Sequence, residues 1–387
     1  MSRPARTAAA LALAAAALIA GCRSPAPAAP GLAAEAPPAG APFLATSLVT
    51  AAGTWAVAVM GGPAATHDNF WQLFARPAGS QRWKLATPPG TADNGGLVLA
   101  GAGRSLITGF RPSQYLTYTP LSLTRDAGQA WASTGPLDAA LANLPDALAA
   151  APGSGNLLAL LTGGTAELAA PGYSSWTTLA TQSSLAGTSA GRRCGLQNLT
   201  AATFTTSGTP MLGGSCSHPG TAGIFAGTGS TWYAAGPQLP AAVAQPVQVL
   251  RLTSTKSSTV ALLVAGAGPA SSLLAAWSAD NGGHWVLSPP LRLHGAAPSS
   301  ASFGPGDAAA IVLNGSRGEA IAGPGAPWRA LPALPPGTAT LAAGPAGGLD
   351  ALAAGRTKMT VWQLAPGSAA WARAQVINVP VQFGSSD

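Results

Sequence analysis

From residue 43 onward, apolar residues come in short runs, and clusters of Gly, Pro, Asn and Asp cut one run from the next. The stretch "SASFGPGDAAAIVLNGSRGEAIAGPGAPWRALP" (300–332) displays the plan. An apolar run leads into a Gly-Pro-Gly-Asp turn and a second run, "AAAIVLN". A Gly-Ser-Arg-Gly turn, a third run "EAIAG" and a fourth starting at Trp328 complete it. Runs this short, bounded by turn formers, read as strands joined in hairpins. The same plan recurs in "ALAAAPGSGNLLALLTGGTAELAAPGYSSWTTLA" (147–180) and "ATLAAGPAGGLDALAAGRTKMTVWQLAPGSAAWARAQV" (339–376).

Seven tryptophans keep time with it. Trp83, Trp131, Trp176, Trp232, Trp285, Trp328 and Trp371 follow glycine-containing turns at separations of 48, 45, 56, 53, 43 and 43 residues. Four strands per repeat is the signature of a small sheet that buries its faces by stacking on its neighbours. The pattern therefore predicts an all-β chain: a seven-bladed β-propeller of four-stranded antiparallel blades over 43–387. "LDAALANLPDALAA" (137–150) competes as a helix, since Ala is the best helix former. Its first half reads as a loop or short helical turn and its end as an innermost strand, where small side chains suit a crowded axis. The segments near 43–49 and 379–384 are expected to meet where the ring closes.

The first 22 residues follow another logic. Arg3 and Arg6 precede the apolar run "LALAAAALIA" (11–20), which is too short to cross a bilayer as a helix and reads as an export signal. The ending Ile19-Ala20-Gly21-Cys22 resembles the lipobox of bacterial lipoproteins, which implies a lipid on Cys22 and anchoring to the extracytoplasmic face of the membrane. An ordinary secretory signal with an incidental cysteine is the alternative. Residues 23–42, rich in Pro and Ala, read as a disordered tether.

Composition narrows the partners. Charged residues make up 8% of the chain, with 49 Gly, 35 Pro and 47% apolar residues, which is not a disordered profile. Without the signal, 17 basic residues face 12 acidic ones and no long basic run exists, so nucleic acid is not an expected partner. The positive balance favours anionic surfaces, with a glycan or an envelope protein as partner. Cys194 and Cys216 are expected to form a disulfide in an oxidising, exported setting, two buried thiols being the alternative.

Two turns carry a fuller motif. "TRDAGQAW" (124–131) and "SADNGGHW" (278–285) share Ser/Thr-x-Asp-x-Gly-x-x-Trp: Thr124, Asp126, Gly128 and Trp131, then Ser278, Asp280, Gly282 and Trp285. This pattern resembles the Asp box, or BNR repeat, of sialidase-like β-propellers. The resemblance implies a structural role between third and fourth strands, away from the ligand face. In such a turn the carboxylate accepts backbone N–H groups, the glycine takes a conformation that a Cβ would strain, and the indole covers the bend.

Ligands of propellers usually meet the face made by second-to-third-strand turns and blade connections. The candidate ligand-binding residues there are Arg111, Tyr115, Arg192, Arg193, Arg292, Arg317 and Arg356, because guanidinium presents a rigid fork to carboxylate or phosphate. Catalysis has thinner support. The sialidase-like resemblance implies three arginines, a Tyr–Glu nucleophile pair and an acid/base Asp. Here Arg-Ile-Pro is absent, residues 43–75 hold no arginine, and only Glu167 and Glu319 follow the tether. "GTSAG" (187–191) matches Gly-x-Ser-x-Gly around Ser189, but it sits in a Ser/Gly-rich connection without a helical pattern after it. The expectation is a non-catalytic binding or scaffolding module with no cofactor and no metal. A sialidase-like exo-glycoside hydrolase is the alternative.

Overall fold

The computed structural model describes residues 45–61, 69–89, 96–110, 121–134, 145–228, 231–243 and 246–380. Every sheet in them is antiparallel, and most pairings join consecutive strands. The first unit holds β1 (Ser47–Thr50), β2 (Gly53–Gly61), β3 (Asn69–Pro77) and β4 (Lys84–Leu85); the second holds β5 (Leu97–Ala102), β6 (Ser105–Phe110), β7 (Leu121–Thr124) and β8 (Ala132–Ser133). The third comprises β9 (Ala147–Ala150), β10 (Leu157–Leu161), β11 (Thr165–Ala169) and β12 (Thr177–Thr181). Next come β13 (Leu196–Phe204), β14 (Pro210–Cys216), β15 (Gly223–Thr228) and β16 (Thr231–Ala234). The fifth unit is β17 (Val247–Ser254), β18 (Thr259–Ala265) and β19 (Ser272–Ser278), the last pairing with both β20 (Val286–Leu287) and β21 (Leu291–Arg292). The sixth contains β22 (Pro298–Phe303), β23 (Ala309–Leu313), β24 (Arg317–Ile321) and β25 (Arg329–Ala330). The seventh ends the chain with β26 (Thr338–Ala343), β27 (Leu349–Ala354), β28 (Lys358–Leu364) and β29 (Ala372–Asn378).

Sequence reasoning missed one connection between units. The fourth and fifth share a nine-stranded sheet, because Ser215 and Cys216 at the end of β14 pair with Gln248 and Val247 of β17. Two register shifts in β13, between Leu196 and Asn198 and between Leu199 and Ala201, turn its start aside. Gly213 permits the approach, since a Cβ there would lie 2.7 Å from Val249.

Each unit buries its apolar side chains against the next. Trp55, Leu73 and Ala86 of the first pack with Leu106, Phe110 and Trp131 of the second. Leu158 and Leu185 meet Phe204, Phe225 and Trp232, and Leu262 and Trp277 meet Ile311, Ile321 and Trp328. The seventh packs back on the first, joining Leu352, Val361 and Val379 to Ala56, Phe74 and Trp83. Here β2 and β3 face β27 and β28, while the chain just before β1 bridges Ala45 to Ser300 of the sixth unit. Of the two segments expected at the seam, Val379 lies in it; residues 381–387 are outside the described residues.

All seven periodic tryptophans stand at or within one residue of a fourth strand, and each packs into the cluster shared with the preceding unit. Several indoles also donate sideways. Trp285 Nε1 reaches Ala235 O at 2.7 Å, Trp328 reaches Ser288 Oγ at 3.1 Å, and Trp371 reaches Pro332 O at 3.3 Å. Trp83 reaches back to the last unit, donating to Asp350 Oδ2 at 2.8 Å.

The connection 182–195 differs from its expected loop. It folds as α1 (Gln182–Ala186) and α2 (Ser189–Cys194). Thr181 and Ser184 form a reciprocal capping box on α1, Thr188 caps α2 through Gly191 N, and Gly195 closes it at φ 64°. Capping drives these helices, and they are too short to leave a periodic apolar pattern. A helix does leave Ser189, yet α1, not a strand, runs into it, so a nucleophile elbow is not formed. Cys194, ending α2, is disulfide-bonded to Cys216, ending β14.

Candidate functional site

Antiparallel meanders send their turns to two ends. First-to-second and third-to-fourth turns share one end; second-to-third turns and unit-to-unit connections share the other.

The two motif turns lie at the first end. Thr124 Oγ1 donates to Asp126 Oδ1 at 2.8 Å, and that oxygen accepts Gln129 N at 2.9 Å and Ala130 N at 3.0 Å. These bonds, the Ala130 N–H foremost, hold the Asp126 carboxyl below the usual range. In the second turn Ser278 Oγ donates to Asp280 Oδ1 at 2.8 Å, and His284 N donates to it at 2.7 Å. The His284 ring adds a contact of 2.5 Å to Oδ2, and Asp280 is held far below the ordinary carboxylate range, first by the His284 N–H. Gly128 and Gly282 adopt φ 76° and 94°. A Cβ on Gly282 would lie 2.8 Å from Ala235 O, so the turn also seats against the preceding unit.

The described arginines among those singled out from the sequence lie at the second end. Arg192 and Arg193 are exposed on α2, Arg292 is exposed at the end of β21, Arg356 is exposed in a turn, and Arg317 opens β24 half-buried. Arg317 Nη2 donates to Arg292 O at 3.4 Å, which brings the fifth and sixth units' arginines together. Arg192 bonds back to Gly187 O in its own connection, and Arg356 belongs to the turn between β27 and β28. Arg111, Tyr115 and Cys22 lie outside the described residues. The carboxylates described at this end point inward: Asp146, Glu167 and Glu319 are buried, with Glu319 Oε1 3.5 Å from Arg317 Nε. Burial raises the carboxyls of Glu319 and of Asp146, the latter to about 6, against the lowering effect of a 3.1 Å bond from Thr162.

A cavity lies elsewhere. A space of ≈ 730 Å³ lies among β1, β5, β9, β13 and β17 and the turns leaving β17 and β22, towards the first end. The antiparallel meander explains the separation: the ends of the innermost strands surround this space, while the predicted arginines depart from the opposite end. Its wall is mostly apolar, with Leu48, Leu99, Leu148 and several alanines beside hydroxyl-bearing residues such as Thr50, Thr200, Thr203 and Ser254, and its charged residues are Arg251, Lys256 and Asp307. Asp307 is buried and accepts Ser257 Oγ through both oxygens, at 3.3 and 3.1 Å. Burial lowers Arg251 to about 10, so it stays charged at neutral pH. Sequence reasoning passed over Arg251. Its signal is that "VQVLRLTS" is the one innermost strand carrying a charge, visible only once the seven innermost strands are aligned. Among the described residues, no three His, Cys, Asp or Glu side chains come together as a metal site requires.

No protein-family model matches this sequence, and no curated protein matches it either. Solved structures do resemble it. A putative 6-phosphogluconolactonase from Bacteroides uniformis is 12% identical, covers 84% of this chain and 96% of its own, and has a TM-score of 0.50. YCF48 from Cyanidioschyzon merolae is 11% identical over 84% of this chain and 94% of its own, at 0.46. The WD40 β-propeller domain of Doa1 is 8% identical over 80% and 89%, at 0.44. At these identities the likeness concerns fold: the chain is all-β with a propeller-type architecture.

Proposed function

We propose that this chain is an exported lipoprotein, lipidated on Cys22 and tethered through residues 23–42, whose four-stranded units close into a seven-bladed ring. The ring acts as a non-catalytic binding module on the extracytoplasmic face of a bacterial membrane and takes an anionic envelope glycan. Its two complete turn motifs support kinship with BNR-type propellers. One observation carries the ligand reading: the end bearing Arg192, Arg193, Arg292, Arg317, Arg356 and Lys358 turns its described carboxylates inward. Guanidinium groups left facing solvent with few competing acids make a surface for a polyanion.

The glycosidase alternative draws less support. A retaining mechanism needs two carboxyl groups flanking the bond, or a tyrosine with an acidic partner. Glu167 and Glu319 are both buried, and Tyr173 spends its hydroxyl on Gly155 O at 3.0 Å. The test is retention of the full chain, in detergent, on an immobilised polyuronate at increasing salt. Retention at low salt, release as salt screens the charges, and weakening in a combined Arg192→Gln, Arg292→Gln, Arg356→Gln variant are expected. Turnover of sialyl or other aryl-glycosides, lost in an Arg192 or Arg193 variant, overturns the reading.

A further inference from the structure

We infer that the outer edge of the sixth, seventh and first units is a docking surface for an anionic phospholipid bilayer. The choice of a bilayer as occupant rests on the lipoprotein reading. Apart from Arg292 on β21, the charges of the outermost strands stand in these three units alone. They are Arg329 on β25, Arg373 on β29 and Lys84 on β4, with Arg82 just before β4. The outermost strands β8, β12, β16 and β20 carry none. Two contacts make the surface continuous. Trp371 Nε1 donates to Pro332 O, just past β25. The Gln375 side chain on β29 bonds Trp83 N and Trp83 O, between Arg82 and Lys84.

Among the described residues, no carboxylate forms an ion pair with any of these four cations. The described acids of the three units, Asp307, Glu319 and Asp350, are all buried and engaged by Ser257, Arg317 and Arg76 respectively. Arg82, Arg329 and Arg373 are exposed and Lys84 is half-buried. Val376, on the same strand as Arg373, is 48% exposed. Basic side chains beside an exposed apolar one suit a bilayer, whose phosphates meet the cations while its interface takes the valine. A polysaccharide would use the charges alone. The chain also enters the fold here: Ala45 bridges Ser300 of the sixth unit, and Thr46 Oγ1 donates to Ala301 O. Residues 23–44 separate Cys22 from Ala45, a flexible reach of about 25 Å, so a lipid on Cys22 keeps a bilayer near these units.

The test uses the full chain on phosphatidylcholine vesicles with and without phosphatidylglycerol, a fluorophore on Ala374→Cys in β29, and a quencher on the lipid headgroups. Quenching is expected with phosphatidylglycerol, not with phosphatidylcholine alone, and should fade as salt rises. A label on Thr177→Cys in β12, three units away, should stay bright. Combined Arg82→Gln, Arg329→Gln and Arg373→Gln should weaken docking by about fivefold per charge removed. The combined Arg192, Arg292, Arg356 variant should leave docking unchanged. Quenching lost in that variant but kept in the edge variant overturns the inference. Equal quenching of both labels, quenching indifferent to phosphatidylglycerol, or none at all overturns it too. If vesicles give no quenching while the edge variant loses its retention on immobilised polyuronate, the edge serves a glycan instead. Flotation with phosphatidylcholine alone reads the anchor separately. A chain that does not float lacks the lipid, and its quenching on added phosphatidylglycerol vesicles still decides the surface.

Discussion

Carboxylates in this protein divide into two electrostatic kinds. Asp126 and Asp280 sit in turns whose backbone N–H groups favour the charged form, so their folded pKa values lie below the ordinary 3.8. What they contribute to stability is present above that value and is lost as pH falls through their depressed values. Asp146 is the reverse, raised to about 6 by burial. From pH about 4 to about 6 the unfolded chain has released this proton while the folded chain keeps it, so stability falls as pH rises through that window. Urea midpoints should therefore decline between pH 4 and 6, and Asp146→Asn should flatten part of the decline. Asp350 and Glu319, also raised, retain the remainder. An unchanged slope in the variant excludes Asp146 as its source. The turn carboxylates were legible because every partner lies within four residues of the aspartate. Arg251 was not, since its place on the cavity wall depends on a bulge and on strands from four other units.

Strands and turns were legible wherever the information was local: short apolar runs, Gly-rich bends and periodic tryptophans all correspond to real elements. Interactions between elements were harder to foresee. The tryptophans read as covers for their own bends, yet four donate their N–H to another unit, three of them to the one before in sequence. The pairing of β14 with β17 joins residues more than thirty apart and leaves no periodic trace. Trp285 separates the two roles of the indole. Trp285→Phe keeps most of the packing against Ala235 and Ile224 but removes the bond to Ala235 O, at a cost of about 1 kcal/mol. Trp285→Ala removes both and should cost about 3 kcal/mol. Equal denaturation midpoints for the two variants would show that the sideways bond, and not apolar burial, holds this interface.

At the scale of the molecule, packing of the seventh unit on the first brings residues of both together in a buried polar cluster. Arg76 Nε lies 3.6 Å from Asp350 Oδ2, its Nη2 donates to Ala343 O at 2.5 Å, and its guanidinium stacks 5.6 Å from the Trp83 ring centroid. The Gln375 side-chain amide accepts from Trp83 N at 2.9 Å and donates to Trp83 O at 2.8 Å. The other interfaces named above are chiefly apolar, so this one has a different failure mode. Arg76 is 8% exposed in its side chain and Asp350 not at all. Removing Asp350 alone strands a cation in the interior, and Asp350→Ala should cost about 3–5 kcal/mol. Replacing both charges, Arg76→Met with Asp350→Leu, removes the desolvation penalty together with the attraction and should recover much of that loss. Chemical denaturation of the two variants checks the sign of the coupling. A double variant as unstable as Asp350→Ala would mean that the seam depends on this ion pair itself, and that the packing of the seventh unit on the first is specified by charge rather than by the apolar contacts of Phe74, Leu352 and Val361.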